Sequence, residues 1–536
     1  MDAAQYMDAQ ECVISAWKCI QAVGKPGSAC RREKMKDHST LSVALAHFRS
    51  MQGMALENLL VQEGIEFESV LEGVAPKADL ILSPVHVKTQ EASLTPLEGP
   101  AVLRPLKWKE LTLLAPYPES LPLEVDRVLL SDEHGTPLLV RQGKAYFFLP
   151  RFLEEVARAH ALESMEYPVD GWRAFFYACL DAVARDLKLT LESKWYYPEP
   201  VEMAACISLD VDHAGHYENL LHAGMWKASL INALPFKGML ARAGRRVKGI
   251  ARVFPSALDV AQANGFSCTV FFRSRDLEEE VTHTKRGAYT VKKEVLHGTH
   301  EAGLHFGSTL GTYLQGYVEP FLHGEPSAPW VENIPPGKAE LERVFDSIEG
   351  SRAHHNHLFV PESLDKIEES GFTYDSSLYP GVRVHHGKKW SEEKALHSKW
   401  HSPNGVYFPF HPLTEEKKYA FNEFPVSVFE EHHSVPIEHA FERARALNGV
   451  LVALYHPHLD VRGLCAFARC AKKCNAWKTT LNRVSAWVQE RERMPLSRVP
   501  WTRIGGLVQG LEHEKFVRVG AHWLKENKHA TWSAPL

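Results

Sequence analysis

Short apolar runs closed by Gly, Pro or Asp punctuate residues 56–150: "ADLILSP", "ELTLLAP", "DRVLLSD", "TPLLVR" and "KAYFFLP". Runs of this length between turn-forming residues predict strands, and their density predicts a small α/β or β-rich domain. The period then changes. "RFLEEVARAHALE" and "GWRAFFYACLDAVARDLKL" repeat apolar residues every three or four positions, as amphipathic connecting helices do. From about 200 to 490 the two patterns alternate. Strands are predicted at "AACISLD", "SCTVFFR", "EAGLHF", the stretch around "SRAHH", "FTYDSS", "FNEFPVS" and "VLVALYH". Helices are predicted at "PSALDVAQANG" and "GKAELERVFDSIEG", the second stopped by Gly350. Such alternation implies a parallel sheet or a β/α barrel. The expected division is a segment at 1–55 to which the pattern gives no role, a small α/β domain with connecting helices at 56–195, the alternating domain at 200–490, and a C-terminal extension at 491–536. The extension is polar and tryptophan-containing, and a helical cap is expected there.

Composition removes several function classes. A chain of 536 residues with 45% apolar and 24% charged residues and a net charge of −5 is of ordinary globular make-up. That charge gives no electrostatic reason to expect nucleic acid as the main partner. No stretch nears the ~20 apolar residues of a membrane-spanning helix. The first residues, "MDAAQYMDAQECV", are acidic where a secretory leader is basic. Nine cysteines, an odd number, suit a reducing compartment, so a cytoplasmic location is expected. "LPFKGMLARAGRRVKGIARVF" (234–254) is rich in Lys and Arg. Gly238, Gly244 and Gly249 weaken any helix there, which favours a solvated segment over a membrane- or anion-binding one. "CAFARCAKKC" places Cys465, Cys470 and Cys474 in one short stretch, with no second cluster to complete a structural zinc site.

The chemistry-bearing residues gather where the predicted strands end. In "ACISLDVDHAG" (205–215), Asp210 and Asp212 share one face of a strand because side chains alternate. Function in parallel sheets collects at the carboxyl ends of strands. Two carboxylates there repel unless a cation or a proton neutralises one of them. A metal on Asp212 would leave Asp210 as a base; an Asx turn is the bland alternative. "GTHEAGLHFGST" (298–309) ends an apolar step at His305, with His300 before the strand. "EGSRAHHNHLF" (349–359) places Arg352 and His354 on one side if extended, and an arginine can hold a carboxylate by paired hydrogen bonds. "VLVALYHPHLD" (450–460) delivers His456 at a strand end. Four such ends in chain order, each with Asp, His or Arg, argue for a site.

This order resembles the polysaccharide deacetylase family (NodB homology, carbohydrate esterase family 4), in a divergent branch. "ISLDVDHAG" resembles the motif with a base and a metal-binding aspartate, and "HEAGLHFGST" the metal-histidine motif. "SRAHHNHLFVPESLDKIEESGFTYDSSL" resembles the arginine motif and its helix, and "VLVALYH" the last motif. The likeness covers roughly 200–490 and lies in motif order more than in motif letters. It implies a NodB-like distorted (β/α) barrel and a hydrolase of carbon–nitrogen (amide) bonds. The implied roles are Asp210 as base, Arg352 as its support, His456 as general acid, and Asp212 and His305 as ligands of a divalent metal, expected to be zinc. The family's second metal histidine falls at Thr309, and Ala353 and His354 follow Arg352 where the family has prolines. His354 is the expected replacement, completing an Asp–His–His site. Arg383, in "YPGVRVHHG", is expected near the site to bind a substrate carboxylate or phosphate, with a plain loop arginine the equal alternative. The expected substrate is an N-acetylated sugar, nucleotide- or lipid-linked, in surface-polysaccharide or O-antigen synthesis. A metal-free carbohydrate-binding or scaffolding protein, and a hydrolase of a small non-sugar amide, are the alternatives.

Overall fold

The structure is a computed structural model that describes residues 40–46, 50–70, 78–84, 91–97, 101–108, 111–118, 125–163, 169–211, 257–272, 300–307, 331–353, 357–378, 383–386, 408–429, 436–456, 462–504, 507–510, 516–519, 522–525 and 533–535. Residues Thr40–Leu536 pack as one compact unit. Asp212, His354, Thr309 and the basic segment 234–254 lie outside the described residues.

The first layer is a seven-stranded sheet. Its strands are β1 (Val43–Ala46), β2 (Glu68–Val70), β3 (Leu80–Leu82), β4 (Ala92–Pro96), β7 (Arg127–Ser131), β8 (Pro137–Gln142) and β9 (Ala145–Phe148), in the order β2-β1-β3-β4-β9-β8-β7. Strands β5 (Ala101–Trp108) and β6 (Leu111–Pro118) form a separate antiparallel hairpin. From β2 to β9 the sheet is parallel; β8 and β7 then add antiparallel. Helix Met51–Glu63 starts at a Ser50 cap, whose Oγ accepts the Gly53 N–H, and stops at Gly64 with φ +67°. Helices Phe152–His160 and Val169–Asp186 then lead, as their apolar spacing predicts, to β10 (Glu192–Lys194).

The second sheet carries the predicted strands in order: β11 (Ala204–Val211), β12 (Cys268–Phe272), β13 (Glu301–Phe306) and β14 (Gly350–Ala353). After a separate parallel pair, β15 (His357–Val360) with β17 (Arg383–His386), come β16 (Tyr374–Asp375), β18 (Asn422–Glu423), β19 (Val428–Phe429), β20 (Val450–Tyr455) and β21 (Trp477–Thr479). The order is β18-β16-β14-β13-β12-β11-β20-β19, all parallel, with β21 also pairing β11. Consecutive strands β18 and β19 thus stand at opposite edges. A flat sheet of eight strands would hold its edges about 34 Å apart at ~4.8 Å per strand. The five Cα steps from Glu423 to Val428 reach at most about 19 Å. The sheet must therefore curl. Hydrogen bonds agree: the Phe424 N–H donates to the Asp375 carbonyl at 2.8 Å, and the Ser427 N–H to the Val452 carbonyl at 2.9 Å, so one bent segment touches both sides. The result is a distorted parallel barrel.

Curling gives each strand an inner and an outer face. Ile207, Leu209 and Val211 point outward into the large apolar core, whereas Ala204, Cys206, Phe271, Tyr374, Val450, Val452 and Leu454 pack with Leu481, Val484 and Val488 of helix Leu481–Arg493. That helix closes the amino end of the strands. Its Leu481 N–H donates to Thr269 Oγ1 (2.9 Å), its Asn482 N–H to Glu301 Oε2 (3.0 Å), and Ser485 Oγ to the Thr373 carbonyl (3.2 Å).

Two expectations change. Helix Ile334–Phe345 stops at Asp346 (φ 64°), not at Gly350. Gly350 opens β14 instead, because a Cβ there would lie 1.9 Å from Tyr374 Cζ. Past helix Leu481–Arg493 the described residues form strands after one 3₁₀ turn, in place of the expected helical cap. Strands β22 (Trp501–Ile504) and β23 (Leu507–Gly510) form a three-stranded antiparallel sheet with β10. β-Branched and aromatic residues around the Gly505–Gly506 pair in "WTRIGGLVQG" are a hairpin signal that outranks the region's polarity.

Candidate active site

Period-two alternation along β11 carries the inner face from Ala204 and Cys206 to Ser208 and Asp210. Asp210 is the last described residue of that face, and it is 3% exposed. Its neighbour across β12 and β13 is β14, where Arg352 projects inward and is fully buried. Every donor atom of the guanidinium has a partner. Nη1 donates to Asp210 Oδ1 and to Ser208 Oγ, each at 2.8 Å. Nε donates to the Ser376 carbonyl and Nη2 to Ser376 Oγ, both at 2.8 Å. The guanidinium carbon lies 4.3 Å from the centre of the Phe271 ring, which supplies a cation–π face below it. Burial of the arginine is therefore compensated on all sides, and the Asp210 carboxylate is fixed in one orientation.

His305 comes from the intervening strand β13 and is 4% exposed. Its Nδ1 lies 3.2 Å from the Arg352 carbonyl, a contact in which Nδ1–H donates. That bond selects the tautomer whose Nε2 carries the lone pair, the usual arrangement for a metal-binding histidine. Nε2 faces Asp210 Oδ2 at 3.8 Å, too far for a hydrogen bond. The imidazole lone pair and the Asp210 oxygen that Arg352 does not hold thus face each other at the carboxyl end of the sheet. Of the implied metal ligands His305 alone is among the described residues and its Nε2 suits a divalent metal, while no group of three or more His, Cys, Asp or Glu with ligand geometry occurs among the described residues.

The other expected residues separate into two kinds. His456 is placed: it follows β20, one step beyond the Leu209–Tyr455 pair and so level with Asp210, half-buried, with Phe429 edge-on at 6.1 Å. Asp212 and His354 lie outside the described residues. Arg383 opens β17 opposite His357, and its side chain is also outside what is described. His300, expected at the surface before the strand, is instead half-buried there, with Nδ1 accepting the Cys268 N–H at 3.0 Å.

Several residues of the site went unread in the sequence. Ser208 shares the Asp210 face by period two and was within reach of that rule. Ser376 and Phe271 had no such signal. Nor did the floor of the barrel, where Glu301 accepts from Thr269 Oγ1 (2.7 Å), from Tyr374 OH and from the Asn482 N–H. Burial pushes the Glu301 carboxyl up to about 7 despite those bonds.

No protein-family profile matches the chain, and no curated protein matches it. Among solved structures, a candidate polysaccharide deacetylase from Mycobacterium smegmatis is similar at 16% identity and a TM-score of 0.35, over 56% of this chain and 95% of that one. A polysaccharide deacetylase from Bacillus cereus is similar at 11% identity and a TM-score of 0.24, over 52% of this chain and 91% of that one. A 4-alpha-glucanotransferase from Thermococcus litoralis is similar at 12% identity and a TM-score of 0.32, over 53% of this chain and 40% of that one. With scores this low, likeness alone assigns no activity, and the weight falls on the arrangement of Asp210, His305 and Arg352.

Proposed function

We propose that this protein is a NodB-like, metal-dependent deacetylase that hydrolyses the N-acetyl amide of a sugar. The observation that carries the reading is Asp210, gripped on Oδ1 by Arg352 and faced on Oδ2 by His305 Nε2, at the carboxyl end of a curled parallel sheet. In this reading Asp212, His305 and His354 hold a divalent cation, zinc being the expected one. When bound, such a cation supplies Lewis-acid polarisation of the amide carbonyl and a more acidic water. Asp210 takes the proton of the attacking water at Oδ2, the oxygen that Arg352 leaves unengaged. Arg352 keeps that carboxylate from rotating. His456, level with Asp210 on the neighbouring strand, protonates the departing amine, with its ring held against Phe429. Arg383 binds a carboxylate or phosphate of the substrate. A phosphate there suits a nucleotide- or lipid-linked precursor in surface-polysaccharide or O-antigen synthesis.

Acetate release from a panel of N-acetylated sugar nucleotides and oligosaccharides, together with the metal content of the purified protein, tests the reading. The expected result is about one zinc per chain, as a single catalytic site requires, with both metal and acetate release lost in His305→Ala. A folded protein that takes up no divalent metal and releases no acetate would overturn it.

A further inference from the structure

Behind Arg352 lies a second pair of carboxyl groups that the reaction does not use. Asp375 of β16 and Glu423 of β18 are register partners, and both are fully buried. Asp375 is well supplied: Ser351 Oγ donates to Oδ1 at 2.5 Å, and the Ser377 N–H to Oδ2 at 3.0 Å. Glu423 is not. The Leu378 N–H donates to Oε1 at 3.0 Å, but Oε2 is buried with no donor, and Asp375 is within hydrogen-bonding contact. Two carboxylates cannot meet this way if both are ionised. A proton between them supplies the missing bond and removes the repulsion. Burial, and then the charge of Asp375, push the Glu423 carboxyl far up, while the Arg352 cation opposes that rise.

The pair holds the turn that holds the arginine. Residues 375–378 are pinned by Asp375 through the Ser377 N–H and by Glu423 through the Leu378 N–H. Between those anchors, Ser376 provides two of Arg352's acceptors, while Ser377 Oγ accepts the Ala353 N–H at 2.8 Å. Ser376 Oγ also donates to the Phe424 carbonyl at 2.7 Å, which ties the turn to the closing segment of the barrel. Among the charged groups of the described residues, Arg352 acts on the pair from outside it.

We infer that Asp375 and Glu423 form an acid pair sharing one proton, and that this pair is a positioning element: through the Ser376 turn it sets the guanidinium of Arg352, and through it the orientation of Asp210. The consequence for the reaction rests on the deacetylase reading; the shared proton does not.

Glu423→Gln keeps a donor toward Asp375 and should mimic the protonated partner. Asp375→Asn removes the single negative charge, and Glu423→Ala removes both the bond and the anchor. Infrared difference spectra at pH 8 read the proton directly. The band of a protonated carboxyl, present in the wild type and absent from Glu423→Gln, is the expected result, and identical spectra overturn the inference. The positioning role is read from kinetics. Asp375→Asn and Glu423→Ala should lower kcat about 10- to 100-fold with KM little changed, as loss of an orienting shell does, while Glu423→Gln stays within about twofold of wild type. Glu423→Gln as damaging as Glu423→Ala, or Asp375→Asn with wild-type kcat, would overturn it. If the wild type releases no acetate, the deacetylase reading fails by itself. The Arg352 Nε–H proton resonance, identified by its loss in Arg352→Lys, then serves instead. It should shift in Asp375→Asn and stay in place in Glu423→Gln, and an unmoved signal in Asp375→Asn overturns the positioning role.

Discussion

Glu63 and Asp210 are both buried carboxylates held by arginine, yet their surroundings leave different things open. Glu63, at the end of helix Met51–Glu63, has both oxygens occupied. Arg173 Nη1 donates to Oε1 at 2.5 Å, and Tyr196 OH (2.7 Å) and Arg503 Nη2 donate to Oε2. Those arginines are spoken for elsewhere as well: Arg173 reaches the Leu447 carbonyl, and Arg503 reaches Ser193 Oγ and Tyr196 OH while its guanidinium stacks 3.2 Å over the Tyr177 ring. Burial raises the proton affinity of Glu63, and the two arginines with the tyrosine bond more than offset it, so its pKa lies below the usual range. The cluster joins the first layer to the barrel and the C-terminal strands. At Asp210 one oxygen is held by Arg352 and the other only faces His305 at 3.8 Å. A closed network can do nothing but hold; a network with one reactive edge can bind and move a proton. That difference separates glue from site when burial and charge look alike.

The largest effect should come from the open edge. Asp210→Asn preserves shape and the Arg352 contact but removes the base, and acetate release should fall about 10²- to 10⁴-fold in kcat. Thermal melting should move little; a collapse of stability comparable with that of the Glu63 variants would erase the contrast. At Glu63 the order of effects should reverse. Glu63→Ala leaves two buried arginines without their anion, and urea denaturation should show a loss of about 3–5 kcal/mol. Activity per folded molecule should be retained at moderate temperature. Glu63→Ala that unfolds no more easily than wild type would show that the cluster is not what joins the layers.

A smaller effect tests whether the barrel interior tolerates added volume. Gly350→Ala drives a methyl into Tyr374, and unfolding experiments should register about 1–3 kcal/mol of destabilisation. The strain lies next to Ser351 and Arg352, so kcat should drop with it, whereas a substitution of similar cost in the first layer should leave kcat alone. The last test is one of pH. His160, stacked on Phe410 at 4.7 Å with Asn58 Nδ2 3.3 Å from its Nδ1, is fully buried, and burial with help from His411 lowers its pKa to about 3. A histidine kept neutral in the folded state contributes stability above its unfolded pKa near 6.5, and that contribution is lost as pH falls toward 3. Between pH 7.5 and pH 5 the loss should be about 2 kcal/mol. His160→Gln should flatten that part of the urea-midpoint profile, and an unchanged slope would refute the assignment.

Much of the barrel was legible because strand and helix periods differ and the long strands β12 and β20 are apolar on both faces. "EAGLHF" coincides with β13 residue for residue, and each of the seven runs expected as strands in the second half overlaps one. The C-terminal extension is polar on average, but its β-branched pattern and Gly–Gly pair decide its strands. Gly350 was misread because a helix stop and a strand start look the same when the ring that needs the space, Tyr374, lies 24 positions on in the chain. Ser376, Phe271 and the Asp375–Glu423 pair were illegible for the same reason. Their roles come from contacts between strands, and alternation along one strand says nothing of what faces it from another.

Sequence alone determined most elements of the barrel and their order, because local periodicity and turn chemistry act over a few residues. It also delivered Asp210, His305, Arg352 and His456 to strand ends, since an apolar run must stop where a polar residue appears. Tertiary structure decided that the sheet curls, that helix Leu481–Arg493 closes its amino end, and that Arg352, anchored on Ser208 and Ser376, fixes one oxygen of Asp210. Those outcomes depend on which strands become neighbours, and in a parallel barrel neighbours are set by the closure of the whole sheet.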